Sequence, residues 1–502
     1  MVLHVFLSGC GGGGGGGNIT LTSNEQGEDP VVLEIAVAYV RRPVPETATD
    51  LRDPLAFNPG AELYVRERAQ ASADEVNVSS QIAAIVAEEE GVPVAQIAID
   101  VKDLESSYDG STLIFAARAV PEPVAANLAD TTWNLWTFDF GTMQAQYLIP
   151  SRIKRNEGVE TGGGQDIAPH FLTDDRIVFS STRQVANQAR LLNDGRNQIF
   201  SALDEDGDEA AAVLHIYDPQ RRTEEFKQIS YNLSHDLAPA VLASGEIIFS
   251  RWNNTGSDHL SIYRIQPSGL ELSPLYGFHS QNAGTEGARV EYTQPRELDD
   301  GRLVSVMRAF ASPGFGGEIV IIDAAAYADL DQPTWQNQGL GGAGHESLTT
   351  TEVRTDGLRS RGGQFGSVYP LRDGTQRLLV TWSECRVIDE DADSGGPLPE
   401  PGDYLPCTLQ PDNSNLAPPL YGAWIYNPLE NTQRPVVLAK EGFLVSEIIA
   451  AEPRDFPDIA ARPLTFDSDL AVARKGQLLS GRVDDEDGGE SAPRGSANHG
   501  QP

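Results

Sequence analysis

The chain has 502 residues, enough for two or three ordinary domains or for one large domain built from repeats. Its 37 basic side chains against 73 acidic ones leave a formal net charge of −36, which excludes nucleic acid as a natural partner and an electrostatic grip on anionic lipid. No apolar run reaches the roughly 18 residues that a membrane-crossing helix needs.

The N-terminus reads "MVLHVFLSGCGGGGGGG". Its Leu7-Ser8-Gly9-Cys10 resembles the lipobox of bacterial lipoproteins, which implies a lipid-modified Cys10 at the start of the mature chain. Only nine residues precede Cys10 and none is Lys or Arg, so the basic part of a signal peptide is missing from this stretch. By the same resemblance, Gly rather than Asp after the Cys implies an outer-membrane destination facing the periplasm. Residues 1–30 are expected to serve as signal remnant and glycine-rich tether, with a reach of roughly 25 Å. Acyl chains would hold the protein on the membrane without a spanning segment.

From Glu34 to Arg68, "EIAVAYVRRP" and "AELYVRER" have the look of a degenerate repeat unit. The pattern "SQIAAIVAEEEG" predicts a short helix over 80–91. Beyond it the chain repeats itself. "DIAPHFLTDDRIVFSS" from Asp166 returns as "DLAPAVLASGEIIFSR" from Asp236. Each copy opens on Asp-x-x-Pro, a turn former whose carboxylate can accept backbone N–H groups, and continues as strand, turn, strand. "SSYDGSTLIFAAR", "QPRELDDGRLVSVMR" and "VYPLRDGTQRLLVTWS" align on the same turn, placing it at 109, 174, 244, 300 and 373. A third strand follows each copy, such as "LHIYDPQ" or "AWIYNPL", and a short fourth follows most. "EGFLVSEIIA" near residue 445 looks like part of a closing unit. Four strands repeated five or more times predict an all-β fold, a β-propeller of six to seven blades, over residues 31–460. The aromatic residues Trp136, Tyr217, Tyr263 and Trp424 on the third strands are expected to pack between blades.

The repeat spacing exceeds a compact blade, so the excess must sit in insertions, chiefly 184–212, 327–362 and 386–419, where binding is expected first. Cys385 and Cys407 bracket the last of these. A disulfide between them would suit an oxidising envelope compartment and a loop with little core of its own. Residues 461–502 are polar, acidic and Gly/Ser-rich, a composition that does not support a packed core.

Together with "YDGSTLIFAAR", "DIAPHFLTDDRIVFSSTRQ" and "LLVTWSECR", the stretch from His279 to Asp323 resembles envelope proteins that share the middle-domain region of the hydrazine synthase alpha subunit. The resemblance runs from about Glu34 to Asp458 and implies a TolB-type, WD-repeat-like propeller. The haem chemistry of that family is not implied here, because no Cys-x-x-Cys-His attaches a covalent haem.

Candidate chemistry is thin. "DEDGDE" sets Asp204, Asp206 and Asp208 at alternate positions of a loop, a possible Ca²⁺ site, although its glycine breaks the EF-hand spacing. His170, His235, His279 and His345, with Arg296, lie on stretches that could converge at one mouth of a propeller channel and hold a ligand or metal. No Gly-x-Ser-x-Gly, His-Glu-x-x-His or P-loop appears. The expectation is a lipid-anchored binding or assembly module for envelope proteins or a small ligand, with oligomeric state open. Its rivals are a non-haem accessory subunit of a redox enzyme and a metal-dependent hydrolase or lyase with its site at the channel mouth.

Overall fold

The computed structural model describes residues 27–45, 53–122, 132–149, 164–186, 202–207, 209–220, 226–254, 258–310, 316–337, 339–389, 404–407 and 415–458, with the backbone of four further short strands. Cys10, Asp208 and most of 461–502 lie outside the described residues.

A sheet whose two faces are both apolar must be covered on both. Six four-stranded sheets solve this by stacking face to face around a common axis, each blade covering its neighbours. Their innermost strands are Phe443–Ala451, Ile97–Ser106, Asp166–Phe171, His235–Val241, Val290–Glu297 and Gln364–Pro370, for the first to the sixth blade. The five apolar clusters accordingly lie between blades rather than within them. The phenylalanines Phe115, Phe179 and Phe249, legible as a repeat in the sequence, lie inside the second strands of their blades and are fully buried there. At about 25 cal/mol per Å² each contributes roughly 2–3 kcal/mol. Trp136, Tyr217 and Tyr263 are likewise buried, and Trp424 packs edge-on to Trp382.

The degenerate first unit and the closing unit are one blade. Ala36–Pro43 and Glu62–Arg66 lack an inner strand, and Phe443–Ala451 supplies it by pairing antiparallel with Ala36–Pro43. This fixes the count at six, since the C-terminal strand completes a sheet instead of starting a seventh. Gly27–Glu28 adds a parallel edge to the sixth blade, and the buried Asp29 beside it meets Arg377 at 2.9 Å. Residues 27–29, within the stretch expected to be tether, thus contact the sixth blade. The helix Ser79–Glu90 lies over the first two blades and ends at Gly91, whose φ of 67° suits glycine. The Cys385–Cys407 disulfide closes its insertion, with Cα atoms 5.4 Å apart.

One reading of the repeat needs correction. Asp-x-x-Pro is not a turn. It lies inside the inner strand, where the register of the third and fourth blades slips at Ala168-Pro169 and Ala238-Pro239. Proline is tolerated at such a bulge because no ladder hydrogen bond is asked of it. The aspartates do not take backbone amides. Asp166 grips Arg183 (2.6 Å) and Ser181, and Asp236 grips Arg251 (2.7 Å) and Ser230, bracing the inner strand to its neighbours.

Candidate functional site

The inner strands all run from one mouth of the channel, here the upper, to the other. All six slip register, and in four the slip carries a left-handed residue, Asp103, Ala168, Ala238 and Gln294, at φ of 60°, 50°, 47° and 52°. Two residues further on, the repeat brings Glu105, His170, Ala240 and Arg296 to equivalent positions. There the channel closes on a charge cluster. The Glu105 carboxylate, only 1% exposed, accepts from Arg296, from Arg454 (2.6 Å) and from the amide of Ser106 (3.2 Å), and stands 3.4 Å from His170 Nε2. Tyr369 adds its ring beneath Arg296 and its hydroxyl beside Arg454 and Ser106. Burial works against the Glu105 charge, but the surrounding cations outweigh it and hold the carboxyl well below the usual range. Burial pushes His170 down to about 4 against the pull of Glu105, with the two guanidiniums adding to burial.

Arg454 reaches this waist from the segment that follows the last strand. That segment crosses the lower mouth, with the Arg454 amide bonded to Tyr108 and the Asp458 amide to Ala243. Phe456 packs against the Tyr108 ring at a tilt, with centroids 5.1 Å apart. A cavity of about 620 Å³ remains between it and the turns carrying Glu297, Asp299 and Arg372.

Above the waist a vestibule of about 210 Å³ opens to the upper mouth. Arg42, Lys102 and Arg308 supply its positive charge, and Asp100, Asp103 and Glu447 its negative charge. Residues 53–58, between the second and third strands of the first blade, form part of its rim. Arg42 is held by Ser446 and the Val101 carbonyl, and Lys102 sits over the Trp133 ring at 4.4 Å. Glu447 accepts the amides of Asp103 and Leu104 at 3.1 and 3.0 Å, and Asp103 accepts that of Ala168 at 3.0 Å. Burial and the neighbouring Asp103 raise the Glu447 pKa.

Of the five residues expected at a channel mouth, the structure brings His170 and Arg296 together, at the waist. The other three lie apart. His235 turns to the loop 202–210, His345 hydrogen-bonds Tyr276 at 2.7 Å between outer strands, and the His279 backbone is tied to Asp329. A waist residue hides behind no motif. Aligning "DLE", "APH", "APA" and "QPR" would have put Glu105 in one column with His170 and Arg296, and the oddity of acid, histidine and arginine at one level of a channel is the signal. Arg454 has no such column, because it follows the last repeat.

Of the acidic loop, Asp204 and Asp206 are described and Asp208 lies outside the described residues. Asp204 sits with Glu209 and His235, their ligating atoms within 4.8 Å of one another, while Asp206 is exposed and outside the group. The Asp204 oxygens accept Asn254 Nδ2 (2.5 Å) and the Gly207 amide (2.9 Å). The Ala212 amide donates to His235 Nδ1 at 3.3 Å, which leaves the ring proton on Nε2, facing the two carboxylates. A metal-bound histidine donates from its second nitrogen, whereas this one accepts.

No family model and no curated protein matches the chain. Solved structures match in fold. Hydrazine synthase of Kuenenia stuttgartiensis is 14% identical at a TM-score of 0.52, over 85% of this chain and 48% of that one. TolB of Acinetobacter baumannii is 12% identical at a TM-score of 0.43, over 83% and 67%. The chain thus spans about half the length of the hydrazine synthase chain it resembles, and at these identities the likeness is one of β-propeller architecture.

Proposed function

We propose that the chain is a lipid-anchored, periplasm-facing binding or assembly module, fixed to the outer membrane through Cys10 and engaging envelope proteins or a small ligand at its upper mouth. The observation that carries this reading is the waist. Residues of several blades and of the trailing segment converge on Glu105 and block passage, leaving a blind polar vestibule instead of a pore. The vestibule acids Asp103 and Glu447 are tied to backbone amides, the work of structural posts rather than of a general base. The disulfide suits an oxidising compartment.

Fractionation of cells producing the chain with its native leader tests the anchor. Wild type should pellet with membranes and carry an acyl mass at Cys10, and Cys10→Ser should be soluble. A Cys10→Ser variant that pellets equally well would overturn anchoring. Cross-linking in the same membranes should yield partners joined through the upper rim. Fold likeness to part of hydrazine synthase favours one second reading, an accessory subunit of a redox assembly. A Soret band that follows the purified complex, rather than the chain alone, would support that instead.

A further inference from the structure

The bulges of the inner strands carry a regularity that bears on what the vestibule holds. Each of four bulges carries a residue in the left-handed region, and at the first two its amide turns out of the strand ladder to a side chain. In the second blade the amides of Asp103 and Leu104 each donate to the carboxylate of Glu447, which comes from the first blade. In the third blade the Ala168 amide donates to the carboxylate of Asp103, which comes from the second. The first and second blades thus each set a carboxylate on the bulge amide of the next. The sequence then breaks the series. The residues in the Asp103 position of the third and fourth blades are Ala168 and Ala238, which have no carboxylate to offer. The amides of Ala238 and Gln294 consequently meet no side-chain acceptor among the described residues.

Both of these amides belong to residues that line the vestibule. Arg308 lines the same side. Its Nε donates to Glu291, and no described residue accepts from its Nη atoms. Asp103 and Glu447, on the opposite part of the ring, also line the cavity. One wall therefore presents amide donors and a guanidinium fork, a pairing that favours a carboxylate; the other presents Asp103 and Glu447, which favour an ammonium group, with the neighbouring Arg42 and Lys102 turned to Asp100 and to the Val101 and Pro54 carbonyls. A volume of about 210 Å³ limits the occupant to a small molecule.

We infer that the vestibule binds a small amino carboxylate, its carboxylate seated on the Ala238 and Gln294 amides and Arg308, its ammonium group toward Asp103 and Glu447. The protein's own Glu447 and Asp103 are the template for that seat. This rests on the binding-module reading and names its ligand class. A chain that keeps its envelope partners but ignores amino carboxylates would lose the ligand class alone.

The test is calorimetric titration of the purified chain with glycine, β-alanine and γ-aminobutyrate, and with acetate and methylammonium as half-ligands. At least one amino carboxylate should bind at least about tenfold more tightly than either half-ligand. Ala238→Asp supplies the missing carboxylate to the Gln294 amide from within, as Asp103 does to the Ala168 amide two blades earlier. It should abolish that binding and raise the melting temperature, because Asp also tolerates the left-handed backbone better than Ala. Ala238→Asn, equally tolerant but uncharged, should keep the binding. Absence of heat from all three amino carboxylates at about 10 mM, or unchanged affinity in Ala238→Asp, would overturn the inference.

Discussion

Glu105→Gln isolates the charge at the waist while keeping side-chain volume. In the folded protein Glu105 is 1% exposed, and its two principal partners, Arg296 and Arg454, keep only 19% and 10% of their side-chain surface. Removing one member of a buried ion pair costs about 3–5 kcal/mol, because the remaining charge stays desolvated. Arg296 lies over the Tyr369 ring at 5.4 Å and Arg454 over the Tyr108 ring at 4.7 Å, contacts present before and after the change, so they leave the difference as it is. A loss of about 3 kcal/mol or more follows, a large fraction of the usual 5–15 kcal/mol total. Urea unfolding should show it as a lower midpoint at unchanged slope. Limited proteolysis should show cleavage within 452–458 before global unfolding, since Arg454 is what draws that segment into the channel. The difference should be constant from pH 5 to 8. A carboxyl held below its unfolded value contributes its stability above about pH 4.3 and loses it only as pH falls through the folded value. A loss under about 1 kcal/mol, the level of an exposed pair, would refute the claim that the waist is a desolvated brace.

Further outcomes follow from the same geometry. His215 is fully buried, with Nδ1 donating to the Val213 carbonyl and Nε2 accepting from the Val185 amide, and burial pushes its pKa down to about 3. Its contribution is complete above about pH 6.5 and is lost as pH falls toward the folded value, at up to about 1.4 kcal/mol per pH unit; His215→Gln should flatten the urea midpoint across pH 6.5 to 4. Reducing Cys385–Cys407 releases a loop with a sequence separation of 22. Loop entropy puts the loss at about 3 kcal/mol, readable by urea unfolding with and without reductant, and proteolysis should then begin between the two cysteines. Calcium titration should give no heat at about 1 mM, and Asp204→Asn should leave that result unchanged while loosening Asn254 and the loop it holds. Heat abolished by Asp204→Asn would show that the loop binds calcium after all.

The sequence by itself determined the architecture. Strand alternation, the recurring turn and the buried phenylalanine are local, and a blade that cannot cover its own faces must stack, so the ring follows from any one repeat. The disulfide was equally legible, because two cysteines at the ends of a coreless insertion have little else to pair with. What only the tertiary structure decided is everything that depends on which blades meet. The count of six required Phe443–Ala451 to return to Ala36–Pro43, a pairing across some 400 residues that no periodicity encodes. The waist required Glu105, His170, Arg296 and Arg454 to project toward one axis, and the His235 group required a loop of the third blade to fold against the start of the fourth. Periodicity reports which face a residue takes, but charge acts through distance, and distance across a channel is set by ring closure.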